Sequence, residues 1–254
     1  MENILFEKTP VPKAYMKLAL PVVLSMLVSL VYNMVDTYFI ALTGVQELVA
    51  GVSLVVPIFT MMIAFGDIFG LGGSSVISRL FGEKRDAEAK RVSAFCIWAA
   101  VIFGICITIL FLLFKGQILG ILGADEKTLQ YADAYYTWIV LGAVFIIFGL
   151  VPSNILRTEG LAAQAMTGSI IGSVINIILD PVFIFGLKQG AAGAAIATIS
   201  AQAISGILCL IFIIRKMKLL WLKKKNRAIK GDAVKELLAM GMPTGLQFSI
   251  TAIG

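Results

Sequence analysis

The sequence predicts an all-α membrane protein: a six-helix lobe, the first of two related by a parallel pseudo-twofold repeat, plus the start of a seventh helix. Three observations predict it. Six stretches are apolar over roughly 18 residues or more, the length that crosses a bilayer core. Hydrophobic residues make up 59% of the 254 and charged residues 14%, more apolar surface than a soluble domain of this size can bury. Lys and Arg also alternate across the spans, eighteen on one side and three on the other.

The first span covers residues 14–42 and contains Pro21, Tyr32 and Asp36. It is too long for a cleavable signal peptide and lacks a small-residue cleavage site, so it is expected to stay as a signal-anchor helix. The second covers 52–78, with Asp67 in its glycine-rich inner half, and the third covers 92–114. The fourth covers 131–156, with Tyr136 and Asn154, and the fifth 163–187, with Asn176, Asp180 and Pro181. The sixth covers 190–214 and carries Thr198. Residues 1–214 therefore read as the lobe, 215–235 as a basic linker, and 236–254 as the start of a second lobe.

The N-terminal flank holds three Lys or Arg, and the loops after the second, fourth and sixth spans hold five, one and nine. The loops after the first, third and fifth hold zero, two and one. The positive-inside rule makes the N-terminus and the basic side cytoplasmic, in the cell membrane. The net charge of +6 follows the membrane in this way and gives no reason to expect a nucleic-acid partner. Lys223-Lys224-Lys225 in the linker reads as a stop-transfer flank, with anionic-lipid contact the weaker alternative. The mixed-charge loop 82–91 reads as a short solvated helix without chemistry.

After the linker, ELLAMGMPT (236–244) resembles KLALPV (17–22) at the start of the first span. Six spans are an even number, so a second copy enters the membrane with the same orientation, a known transporter plan. This points to a two-lobed protein whose C-terminal lobe is missing from this chain.

An intramembrane carboxylate costs about 2.5–3.5 kcal/mol on insertion scales and usually marks an ion or substrate path. Asp36 lies about six residues before the outer end of its span and Asp180 about seven, a difference of ~1.5 Å at helical rise. Thr198 falls on nearly the same plane. Asn176 and Asp180 are four apart on one helix face, as are Tyr32 and Asp36. Pro181 removes a backbone donor and frees the carbonyl of Ile177. Two close aspartates can hold one proton between them. Their oxygens with those of Asn176 and Thr198 could equally hold sodium, since hard cations prefer oxygen ligands.

Asp67 could line a water-filled cavity that attracts cationic substrates, or pair with a cytoplasmic-side base such as Arg79. The chain has no histidine, and Cys96, Cys106 and Cys209 lie inside apolar spans as small hydrophobes. No cofactor is expected beyond a coupling ion, H+ or Na+. The small residues Gly168, Gly172, Gly193, Ala197 and Ala201 suit close helix packing.

Three motifs carry a family resemblance: Leu20-Pro21 with YNMVDT (32–37), GGSSVISRLFG (72–82), and Asn176-x-x-x-Asp180-Pro181 followed by Thr198. On them the chain resembles the N-terminal lobe of the multidrug and toxic compound extrusion (MATE) transporters, most closely the DinF-like branch, over essentially all its length. The resemblance implies a two-lobed exporter of amphipathic, often cationic drugs, driven by protons or sodium ions. It makes Asp36 the coupling carboxylate and adds Asp180, Asn176 and Thr198 to the cation site. Tyr32 and Tyr136 join its hydrogen-bond network, and Asn154 is assigned to the substrate cavity.

Three other functions would account for parts of this sequence. A lipid-linked saccharide flippase of the same superfamily would favour a more cationic cavity. An intramembrane aspartyl protease could use two aspartates to activate water, but Asp36 follows Val35 and Asp180 follows Leu179, so the Tyr-Asp and Gly-x-Gly-Asp patterns are missing. A nonfunctional fragment is the third. The expectation is therefore a transporter and not an enzyme.

Overall fold

The computed structural model describes residues 10–216, 235 and 237–243. Residues 217–234 of the linker, and Glu236 and 244–254 of the seventh span, lie outside the described residues. Among the described residues every regular element is helical.

α1 (Val11–Ala41) starts behind Pro10, with Pro12 in its first turn, where a missing N–H costs nothing. It runs through Pro21 without interruption, and the Ser25 hydroxyl donates to the Pro21 carbonyl at 2.8 Å. The turn into α2 (Gln46–Gly82) uses Gly44 at φ +70°, a backbone state open to glycine. α2 has 37 residues. At helical rise that is about 55 Å, well beyond a bilayer core of about 30 Å. Just after α2, Arg85 bridges Glu83 (2.6 Å) and Glu88 (2.8 Å) ahead of α3 (Asp86–Leu113). Both carboxylates hold its guanidinium above its ordinary range.

The chain departs from the expected fourth span. A short α4 (Lys115–Ile121) precedes it, and the span itself is two helices, α5 (Leu129–Leu141) and α6 (Ala143–Thr158), bent by 48°. The break falls at Gly142, which packs on Ile199 so closely that a Cβ there would collide with the Ile199 side chain. The fifth span is α7 (Ala162–Pro181) continued by a π-helical turn, Val182–Gly186, closed by Leu187 N–H donating to the Val182 carbonyl at 2.8 Å. Pro181 has no N–H to give, and the wider ring follows directly. α8 (Gly190–Lys216) completes the lobe. Among the described residues five helices are long and apolar enough to cross a membrane, or six if the bent pair is one span. The protein is an all-α, multi-pass membrane protein.

Close glycine contacts hold the bundle, as expected where lipid removes the usual hydrophobic drive between helices. α2 runs parallel to α6 with Gly66 against Ile147 and Leu150, and Gly70 against Asn154. α7 runs antiparallel to α8 with Gly168 on Cys209, Gly172 on Ala201 and Ser205, and Gly193 on Phe183. The core is made by α2, α3, α5 and α6, with Met62, Ile77, Tyr136, Ile139, Ile146 and Ile155 fully buried. α1 stands at the edge, packed chiefly on α7, and leaves Leu27, Leu30, Met34 and Tyr38 exposed. Gly241 of the segment 237–243 meets the backbone of Ile68 and Gly72 on α2.

Candidate functional site

The site forms where α1, α5, α7 and α8 approach one another, and each helix contributes for a local reason. α7 supplies Asn176 and Asp180, one turn apart on its buried face, both shielded from solvent. The Asn176 amide donates to Asp180 Oδ1 at 3.3 Å. α1 is parallel to α7 and brings Asp36 against Asp180, close enough for the two carboxyls to share a hydrogen bond. Tyr32, one turn before Asp36, lies within the electrostatic reach of both acids. The antiparallel register of α7 and α8, set at Gly172–Ala201 and Gly193–Phe183, puts buried Thr198 at the level of Asn176.

The polar atoms here are not all paired. Asp36 Oδ1, Asn176 Oδ1 and Asp180 Oδ2 are buried and have no hydrogen-bond partner. Nearly all buried polar groups in folded proteins are satisfied. Each orphan costs about 1–3 kcal/mol, so three cost several. All three are acceptors. A proton or a small cation is the kind of species that would satisfy them together.

The tyrosines on α5 differ from expectation. Tyr136 is fully buried, but its hydroxyl donates to the Phe111 carbonyl at 2.9 Å, on the α3 side. Its neighbour Tyr135 is the one that faces Asp36, Tyr32 and Asp180. The sequence offers two adjacent tyrosines, and helical phase chooses between them. The break at Gly142 removes the long straight helix from which that phase would have been read.

Asp67 and Asn154 come together, away from these acids. Asp67 is buried on α2, beside Asn154 and within reach of the Arg157 charge on α6. Arg79, the base expected beside it, pairs instead with Glu83 at 3.4 Å. Arg79 is twelve residues beyond Asp67 on the same helix, whereas parallel packing brings α6 alongside. Among the described residues no cluster of three His, Cys, Asp or Glu forms a metal site.

The MatE family model matches residues 21–182. Over 248 residues the chain is 34% identical to the multidrug export protein MepA of Staphylococcus haemolyticus, covering 98% of this chain and 55% of that protein. A solved multidrug resistance MATE family transporter of the MOP superfamily, in an outward-facing conformation, superposes with TM-score 0.86 at 30% identity, covering 93% of this chain and 53% of that one. A MOP superfamily transporter from Pyrococcus furiosus, whose binding pocket is described as reversed in polarity and suggestive of a different function, superposes with TM-score 0.89 at 29% identity, covering 97% and 54%. The chain spans about half the length of the relatives it matches.

Proposed function

The chain belongs to the MatE family, and on that premise we propose that it is one lobe of an exporter of amphipathic, often cationic drugs across the cytoplasmic membrane, driven by inward flow of protons or sodium ions. The missing half would be a second lobe beginning near residue 236, and the helical segment 237–243 seated on α2 supports that division. The excess of Lys and Arg on one side supports a cytoplasmic N-terminus. Asp36 together with Asn176-x-x-x-Asp180-Pro181 supports the DinF-like branch.

One observation carries the coupling step: three buried, unpartnered acceptor oxygens from Asp36, Asn176 and Asp180 meet across α1 and α7. A cation entering there joins the two helices. Its departure leaves two facing carboxyls, and α1 has few contacts beyond α7 to hold it. The ion can drive transport only if it binds one arrangement of α1 more tightly than the other. Tyr32, Tyr135 and Thr198 complete the surroundings of the ion in this scheme.

The test is dye efflux by the full reading frame in drug-sensitive cells, under an imposed proton or sodium gradient, with Asp36→Asn alongside. Efflux driven by one gradient and lost in the variant, with the protein still inserted, is expected and names the ion. Efflux retained in Asp36→Asn overturns the site. No efflux under either gradient overturns the drug-export activity.

A further inference from the structure

Asp67 and Arg157 are charged groups within the lobe that the coupling site does not use. They sit on α2 and α6, the two helices in parallel contact through Gly66 and Gly70. Three observations tie them together. Asn154 lies beside Asp67, its amide donating to the Leu150 carbonyl at 3.1 Å, and its Oδ1 accepts from Arg157 Nη1 at 3.5 Å, so it stands between the two charges. Asp67 is buried between Gly66 and Gly70, the glycines that bring α2 against α6. Gly70 leaves the space the bridge needs, since a Cβ there would stand 2.7 Å from Asn154 Nδ2. The other base near the inner end of α2, Arg79, is engaged by Glu83.

We infer that Asp67 and Arg157 form a charge pair, bridged by Asn154, that sets the position of α2 on α6, and that the Asp67 charge is committed to Arg157 instead of to a cationic substrate or the coupling ion. The physical reason is that a buried charge stripped of its partner is strongly destabilising, whereas removing both charges together can be nearly neutral. α2 also carries the Gly72–Gly241 crossing on an adjacent face. The pair therefore fixes the helix that receives the segment after the linker. Asp67 and Arg157 are positioning residues in this scheme.

The experiment is a double-mutant cycle in the full-length protein: Asp67→Asn, Arg157→Gln, the two combined, and Arg157→Lys as the conservative variant. The first readout is the folded fraction after heating in detergent, which needs no transport and so stands apart from the export proposal. The second is the KM for a cationic and for a neutral dye. Each neutralising single variant is expected to lose most of its folded fraction, the double variant to regain it, and Arg157→Lys to retain part of it. In the double variant the KM for the cationic dye is expected to stay within about twofold of the unmodified protein. A double variant no more stable than the worse single overturns the pair. So does an Asp67→Asn protein that is fully folded but raises KM for the cationic dye alone, because Asp67 then serves the substrate.

Discussion

Asn176 donates its side-chain amide to Asp180 one turn further along α7, at 3.3 Å. Both groups ride on one helix, so half of the candidate cation site is built without help from tertiary contacts. The other half, Asp36, arrives on α1. Asn176→Ala is expected to raise the cation concentration for half-maximal efflux by roughly tenfold, about 1.4 kcal/mol. Ion titration of dye efflux measures this. An unchanged half-saturation, in a background where Asp36→Asn is inactive, would remove Asn176 from the ion's shell.

The two adjacent tyrosines of α5 should separate cleanly. Tyr135→Phe is expected to change the ion dependence of efflux while leaving thermal stability near that of the unmodified protein, because its ring stays in place beside Asp36 and Asp180. Tyr136→Phe should do the reverse. It strips a donor from the Phe111 carbonyl, in the last turn of α3 where carbonyls lack helical partners, at a cost of about 1–3 kcal/mol. Swapped phenotypes would put Tyr136 back among the coupling groups.

At the α5–α6 break, Gly142→Ala pushes a methyl group into Ile199. Overpacking of this kind costs about 1–3 kcal/mol. The melting temperature in detergent should fall, and Ile199→Ala in the same chain should recover most of the loss. A single Gly142→Ala variant as stable as the parent would show that the bend does not depend on that contact.

The ion pair between Lys115 and Asp133 is short, 2.6 Å, yet both side chains are partly exposed, at 31% and 41%. Lys115 also donates to the Thr137 hydroxyl at 3.0 Å. Exposed pairs are worth about 0–1 kcal/mol. Lys115→Met is therefore expected to shift thermal stability by less than about 1 kcal/mol, and efflux should be unaffected. A larger loss would give this pair a role in holding α4 to α5.

Much of the lobe was legible because lipid simplifies the code. Long apolar runs must be helices, and a buried acid stands out against them. That logic located Asp36, Asn176 and Asp180, and the structure brings them together. It could not locate what depends on helix phase or on a neighbour far away in sequence. The close packing at Gly142 is against Ile199, fifty-seven residues on. Hydropathy treats the two halves of a broken span as one. Asp67 lies near a base on α6, which no spacing within α2 could reveal. The choice of Tyr135 over Tyr136 turned on a single step of helical rotation.

The π-helical turn after Pro181 holds one more residue than an α-helical path between the same ends would need. That surplus carries Phe185 around to meet Phe39 of α1 edge-on, ring centroids 6.4 Å apart. Length in this segment is thus a gauge of alignment. Shorten it by one residue and Phe185 turns away from Phe39, removing the ring contact between the C-terminal end of α1 and the segment that follows Asp180, with every ionisable group still in the chain.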